Sequence, residues 1–419
     1  MDGSRPRKSY AKLARSVQDW RSRLRKERST VARRRRLGGA IEALESRQLL
    51  TFAIDLFADV NQLGVSSNPD EVTVVGDTAF FVADDGDTGA ELWKTDGTVG
   101  GTVVVKDILP GPDGSSPEYL TKVGDEVFFT ALDENFEQEL WKSDGTESGT
   151  VQVFDADASN VYYLYNLTES GGKLFFTAQD SATGNELWVS DGTSGGTTLV
   201  KDINSNQLVE DGPRYLTDVG GTLFFTSYET GYYNRELWKS DGTADGTVMV
   251  AEIGVIPGAM PGEPDDESES SDPRFLTNVG GELYFAARDF ELGTELFKSD
   301  GTAGGTVMVQ DLNMNGSSYP EGLTEFGGDV FFSASTPSGE VHLYKSNGTT
   351  ISLVAHTTGG LGPAEPFYLE VVGSERFFSA NGFKAAPTIA WSQPILTAKN
   401  SRENSGVSGV VAQVCGGIT

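Results

Sequence analysis

The sequence predicts an all-β fold: a seven-bladed β-propeller of four-stranded antiparallel blades, closed by an N-terminal strand, with a degenerate last blade. Three observations predict it. The first is a recurring octapeptide: ELWKTDGT from Glu91, ELWKSDGT from Glu139 and Glu236, ELWVSDGT from Glu186, ELFKSDGT from Glu295 and HLYKSNGT from His342. The copies start 48, 47, 50, 59 and 47 residues apart, the period of a repeat architecture. The second is a doubled aromatic ahead of each copy, at Phe80-Phe81, Phe128-Phe129, Phe175-Phe176, Phe224-Phe225, Tyr284-Phe285 and Phe331-Phe332, and once more at Phe377-Phe378. Adjacent large apolar residues put one side chain on each face of a strand, so this strand is covered on both sides. The third is turn chemistry. Asp-Gly, or Asn347-Gly348 in the sixth copy, ends each octapeptide strand, because Gly accepts positive φ and Asp bonds its own backbone.

Each repeat therefore holds four strands. A short strand such as Arg214-Tyr-Leu-Thr-Asp-Val219 is followed by the doubled-aromatic strand. The octapeptide strand comes next; its Glu-Leu-Trp-Lys alternates polar and apolar, the period of a half-buried strand. A Val-rich strand such as Val248-Met-Val250 completes the unit. Four short strands per repeat of this length is the pattern of a propeller blade. An aromatic stands at one fixed position, at Trp93, Trp141, Trp188, Trp238, Phe297 and Tyr344, and is expected to be buried between blades. The turn aspartates Asp96, Asp144, Asp191, Asp241 and Asp300 are expected to serve their own turns.

The octapeptides resemble the ELWxxDGT repeats of bacterial secreted and surface proteins, over about residues 53–380. The resemblance implies an extracellular repeat array and no established activity.

In chain order, residues 1–50 carry 15 Lys and Arg against 5 Asp and Glu. Of the chain's 32 basic and 61 acidic residues this leaves 17 and 56, so a +10 arm precedes a −39 body. Tyr10 to Arg36 is compatible with a basic helix. A nucleic-acid arm, a solvated tail and an export leader compete for this segment. No nucleic-acid recognition motif accompanies the charge. Leu44-Glu-Ser-Arg-Gln-Leu-Leu50 resembles the LExRxLL sorting motif found after basic N-termini of secreted bacterial proteins, which implies export to the exterior or cell surface. The apolar core of an ordinary secretory signal is absent, since Leu37 to Leu44 is short and contains Glu42. No run of 18 apolar residues exists, so no transmembrane helix is expected. The single cysteine, Cys415, excludes an intrachain disulfide framework.

Residues 51–398 form the expected propeller domain. It opens on Phe52-Ala-Ile-Asp-Leu-Phe57, a fourth-type strand without a blade of its own. Six complete units run over about 70–108, 117–155, 160–203, 212–253, 272–312 and 318–355. An insertion from Pro257 to Asp272 accounts for the long spacing. A seventh unit starts at Phe367 and loses its signature after Gly382, with a third strand expected near Trp391. Phe52 to Phe57 is expected to supply its fourth strand and close the ring; an open array is the alternative. Residues 399–419 match nothing and are expected to be an irregular tail.

Chemistry is harder to find. There are two histidines, His342 and His356, and His342 is expected at the surface. No Ser-His-Asp arrangement, His/Cys cluster, phosphate loop or dinucleotide fingerprint appears. Carboxylates recur just after the aromatic strand, at Asp84, Asp133, Asp180, Glu229 and Asp289, and a residue repeated around a ring serves the blade. No catalytic residue is assigned. Calcium is the one metal considered: Asp84, Asp85 and Asp87 share one turn and Asp265, Asp266 and Glu267 the insertion, though neither has a calcium-loop spacing. The expectation is a monomeric, non-enzymatic scaffold, adhesion or binding propeller that meets a protein or glycan at one face. A propeller enzyme acting on glycans, with carboxylates at one mouth, is the alternative.

Overall fold

The computed structural model describes residue 60, residues 66–204, 212–228, 235–253 and 270–355, and four further strands between 367 and 415. All belong to one compact unit, Phe57–Thr419. The fold is all-β and propeller-like, with one short 3₁₀ turn among the described residues, Ser194–Gly196.

The first sheet comprises β1 (Asp70–Val75), β2 (Thr78–Asp84), β3 (Ala90–Thr95) and β4 (Val103–Lys106). The second has β5 (Glu118–Val123), β6 (Glu126–Leu132), β7 (Gln138–Ser143) and β8 (Val151–Phe154). The third has β9 (Val161–Ser170), β10 (Lys173–Asp180), β11 (Gly184–Ser190) and β12 (Thr198–Lys201). The fourth has β13 (Arg214–Val219), β14 (Thr222–Tyr228), β15 (Arg235–Ser240) and β16 (Val248–Ala251). The fifth has β17 (Arg274–Val279), β18 (Glu282–Asp289), β19 (Gly293–Ser299) and β20 (Val307–Gln310). The sixth has β21 (Glu321–Phe326), β22 (Asp329–Ser335), β23 (Val341–Ser346) and β24 (Ile351–Ala355). In all six sheets the strands pair antiparallel in chain order.

The seventh sheet differs. β25 (Phe367–Val372) and β26 (Glu375–Ala380) pair as expected, but the third position is taken by β28 (Val410–Cys415) and the edge by β27 (Leu396–Asn400). Three expectations change. The third strand does not come from around Trp391, which lies outside the described residues. Among the described strands β27 holds the fourth position, and Phe52 to Phe57, expected there, lies outside the described residues. The stretch expected to be irregular after residue 398 contributes β28 and the end of β27. The physical reason is pairing: once the octapeptide is lost, any extended segment that satisfies β26's backbone groups can take the next place.

The core lies between sheets, in layers that repeat. Phe80, Leu92 and Val105 of the first sheet meet Leu120, Val127 and Phe129 of the second. Phe128 and Leu140 of the second meet Leu174, Phe176 and Trp188 of the third. The first aromatic of each pair thus faces the following sheet and the second the preceding one. First strands of successive sheets lie side by side. Threonine hydroxyls stitch them: Thr73 donates to the Leu120 carbonyl at 2.8 Å, Thr121 to Leu167 at 3.1 Å, and Thr217 to Leu276 at 3.3 Å.

Candidate functional site

The turn aspartates build a small cage. Asp241 Oδ1 accepts from the Thr243 amide at 2.8 Å and its hydroxyl at 2.7 Å. Thr243 Oγ1 accepts from the Gly246 amide, and the Thr243 carbonyl from the Thr247 hydroxyl, which also meets Ser240 Oγ at 2.8 Å. Asp96, Asp144, Asp191 and Asp300 repeat the carboxylate contacts with Thr98, Thr146, Thr193 and Thr302. Those hydrogen bonds, the Thr hydroxyl's foremost, hold all five carboxyls below the ordinary range. A β-carbon at Gly246 would overlap the Asp241 carboxylate and force it to move. The turn also docks on its neighbour: Gly145 sits against the Phe80 ring, and Lys94 Nζ donates to the Gly145 carbonyl at 2.7 Å.

Trp93, Trp188, Trp238, Phe297 and Tyr344 are buried and Trp141 is half-buried; all but Trp93 lie in the layers between sheets, and Trp93 packs with Phe81, Ala83 and Val60. The indole Nε1 of all four tryptophans is enclosed without a hydrogen-bond partner. Area, not polarity, holds these rings.

The alternation of the octapeptide strand is misleading. Glu91, Glu139, Glu186, Glu236 and Glu295 are buried beside their buried Leu neighbours, because the strand is covered on both faces. Each carboxylate clamps the linker leading to the next sheet. Glu91 accepts from the Leu109 and Ser115 amides and the Ser115 hydroxyl. Glu295 does the same with Leu312 and Ser318, and Glu236 with Ile253 and Ser271. Glu139 takes the Ala156 and Asp157 amides. Glu186 accepts from the Asn204 amide at 2.8 Å, and its Oε2 has no partner. Burial raises all five; Glu236 is pushed up to about 7 and Glu186 to about 8. His342 occupies the same place in the sixth sheet and is 4% exposed, not a surface residue; its Nδ1 lies 2.9 Å from the Val341 carbonyl.

The inner strands carry a feature the sequence did not announce. In five of these six the pairing breaks after the strand's first paired residue, at Asp70, Glu118, Arg214, Arg274 and Glu321, and in the longer strand of the third sheet it breaks after Tyr165. The next residue is left-handed: Glu71 (φ 59°), Tyr119 (62°), Asn166 (58°), Tyr215 (55°), Phe275 (58°) and Gly322 (64°). Only the sixth sheet fills the position with glycine, the residue that adopts this conformation without strain. These twelve residues gather at one end of the side-by-side strands, which we call the mouth.

The mouth is asymmetric. Asp70, Glu71 and Glu118 form an acidic side; burial, then repulsion from Asp70 and Glu118, lifts the Glu71 carboxyl against hydrogen bonds from the backbone. Arg214, Arg274, Tyr215 and Phe275 form a basic and aromatic side, with the Tyr215 and Phe275 rings 6.4 Å apart. Arg274 donates from Nε to Asp272 at 2.8 Å and from Nη2 to the same oxygen; that hydrogen bond raises it further, with help from Tyr215 and Glu321. A groove of about 420 Å3 opens between the third and fourth sheets, lined by Tyr165, Asn166, Thr168, Arg214, Tyr215 and Leu216. A second cleft, of about 380 Å3, lies away from the mouth beside Ile253, Phe297 and Met308.

The acidic turn considered for calcium uses its carboxylates internally. Asp84 Oδ1 accepts from the Gly86 amide, and Asp85 Oδ1 from the Asp87 and Thr88 amides and the Thr88 hydroxyl. Asp133, Asp180 and Asp289 cap their own turns likewise. Among the described residues no group of three His, Cys, Asp or Glu is placed to hold a metal. Asp265, Asp266 and Glu267 lie outside the described residues, as does Glu229. No described helix is long and apolar enough to cross a membrane.

Fold and mouth together define an all-β protein of propeller-like sheets. No family model matches the chain, and no curated protein does. Solved structures resemble it in fold. A puromycin hydrolase aligns at 15% identity and a TM-score of 0.42, over 77% of this chain and 52% of that one. A prolyl endopeptidase aligns at 15% and 0.43, over 75% and 45%. A puromycin-hydrolyzing peptidase of Mycobacterium tuberculosis aligns at 14% and 0.40, over 76% and 50%. The chain therefore spans about half the length of these proteins. The expectation of a non-enzymatic scaffold is contradicted by these likenesses, which are to proteins named as hydrolases and peptidases.

Proposed function

We propose that the chain is the propeller part of a peptidase-type protein, and that its mouth takes up peptide. The observation that carries the reading is the asymmetry of the mouth. A purely structural repeat position would converge on one residue type. Here the same position is Asp70, Glu118 or Glu321 in three sheets, Tyr165 in one and Arg214 or Arg274 in two. Strain points the same way. A left-handed non-glycine residue costs ~1–2 kcal/mol, and strain of this kind gathers at functional sites. Five sheets bear it to hold Glu71, Tyr119, Asn166, Tyr215 and Phe275 at the opening. Peptides offer both charge signs and apolar side chains, which this surface complements.

The reading includes ring closure, with the seventh sheet against the first. Val72 and Val74 of the first inner strand are 68% and 57% exposed, whereas Leu120, at the place of Val72, is covered by the sheet before it. The glycine of the first octapeptide turn, Gly97, touches no ring, while Gly145, Gly192, Gly242 and Gly301 each rest on a phenylalanine. Both features fit a first sheet waiting for a neighbour. The reading further takes the repeats as members of the ELWxxDGT family and the basic arm with its LExRxLL-like segment as an export leader.

Titration calorimetry of the full chain with short peptides tests the function. Binding should weaken in Glu71→Gln and Tyr215→Gly while both variants keep the parent's circular dichroism. Peptides that fail to bind the parent, or that bind both variants like the parent, refute it.

A further inference from the structure

We propose that the cleft between the fourth and fifth sheets binds a primary alkylammonium group, in the place that a lysine of the chain itself fills at two other junctions. The cleft lies away from the mouth, so the inference is independent of the peptide reading. The last residue of each outer strand pairs with the leucine of its own octapeptide strand: Lys106 with Leu92, Phe154 with Leu140, Lys201 with Leu187, Ala251 with Leu237 and Gln310 with Leu296. At four of these junctions the side chain there meets the following sheet. Lys106 Nζ stands 5.6 Å from the centre of the Trp141 ring and donates to the Thr150 carbonyl at 2.9 Å. Lys201 Nζ stands 5.9 Å from the Trp238 ring and donates to the Thr247 carbonyl at 2.8 Å. Phe154 lies against the Trp188 ring instead, 6.0 Å between centres, and Gln310 Oε1 accepts from the Ile351 amide at 3.2 Å.

Of these five residues Ala251 alone is too short to cross. Phe297 and Thr306 hold the repeat positions of Trp238 and Thr247. Ala251, Phe297 and Thr306 all line the cleft of about 380 Å3, so it opens where the lysine would lie. A cation over an aromatic face is attracted by the ring's quadrupole, and an ammonium makes a charge-assisted hydrogen bond to a carbonyl. The walls favour the same group. Glu252 and Asp289 bring two carboxylates to the cleft, Asp289 while its Oδ1 accepts from the Glu291 and Leu292 amides. Ile253 and Leu292 offer apolar surface to a methylene stem, as the stem of a lysine requires. An anion meets repulsion here, and a neutral group gains nothing from the ring or the carboxylates. The ammonium can belong to a lysine side chain or to a free alkylamine, and the probes separate these.

The test uses the full chain with isotope-labelled methionine methyl groups, followed by magnetic resonance. Met308 lines the cleft, and Met249 holds the same strand position beside Trp238, where Lys201 already lies over the ring. The probes are n-butylammonium, n-butanol as its neutral counterpart, and Nα-acetyl-lysine methylamide. Butylammonium should move the Met308 signal, leave Met249 in place, and bind roughly tenfold more tightly than butanol, the range of one cation held over a ring. Ala251→Lys should abolish the Met308 response with an equal or higher urea midpoint, since the chain then supplies its own ammonium. Lys201→Ala should make Met249 respond to butylammonium as Met308 does in the parent. Binding of acetyl-lysine methylamide as tightly as butylammonium assigns the cleft to lysine side chains, and much weaker binding assigns it to free alkylamines. A still Met308 signal, equal affinity for butylammonium and butanol, a parent-like response in Ala251→Lys or a lowered midpoint in that variant overturns the site. None of these outcomes bears on peptide binding at the mouth, which Glu71→Gln and Tyr215→Gly test separately.

Discussion

Replacing Glu186 by Gln should make the protein more stable in alkali and leave it unchanged in mild acid. Glu186 is fully buried, takes a backbone hydrogen bond from Asn204, and encloses a second oxygen that has no partner. Burial pushes its carboxyl up to about 8. The sign follows from proton counting. Between its unfolded value near 4.5 and about 8, the folded state holds a proton that the unfolded state releases. Stability is therefore fully present below 4.5 and is lost as pH rises through 8. At about 1.4 kcal/mol per pH unit the loss is ~2 kcal/mol at pH 6, ~4 at pH 8 and ~5 once titration is complete. Glutamine keeps the shape of the protonated acid and does not titrate. Urea denaturation of parent and Glu186→Gln at pH 5, 6, 7, 8 and 9 reads the effect as a widening gap in midpoint. A constant difference across that range would show Glu186 ionised throughout and refute the reasoning. Glu236, with three donors, should show the same trend more weakly when replaced by Gln.

Trp188→Ala should cost ~3–5 kcal/mol, whereas Trp188→Phe should cost ~1 kcal/mol or less, because the indole N–H has no partner to lose; thermal unfolding separates the two. Gly246→Ala should destabilise by ~1–3 kcal/mol, since the added carbon forces Asp241 out of its cage; a parent-like urea midpoint would show that the cage yields freely. The turn aspartates work opposite to the clamp glutamates: their stabilisation is present above the unfolded value of 3.8 and is lost as pH falls through their lowered folded values. Acid unfolding of Asp241→Asn should then show a shallower dependence below pH 4 than the parent. Deleting residues 1–60 should lower the melting temperature more than deleting 1–50, because Val60 packs on the layer of Phe81 and Trp93; equal melting by calorimetry would remove any role for this segment.

Much of the fold was legible because the repeat writes it locally. Asp-Gly-Thr fixes a turn within four residues, doubled aromatics mark the doubly covered strand, and six chain-ordered sheets follow. The seventh sheet was not legible, since β28 joins it across a gap of some thirty residues and nothing local announces such pairing. The clamp glutamates were missed because alternation suggested a half-exposed strand; the signal available was that Glu opens five copies where any solvated residue would serve. The mouth was missed because left-handed Tyr215 and Phe275 look like ordinary strand aromatics until the bulge beside them is seen.

The docking of each octapeptide turn on the sheet before it gives the array a polarity. Lys94 and Phe80 receive the Gly145 turn, Lys239 and Phe224 the Gly301 turn, and in every case the knob lies downstream and the socket upstream. Knob and socket are both spelled within one repeat. A copy gained or lost by exchange between near-identical stretches would carry its own complete joint and need no compensating change elsewhere. Such a chain can vary in length faster than it can vary in the make of any one unit, and among the six chain-ordered sheets the strained residues at the mouth are a place where the copies are not interchangeable.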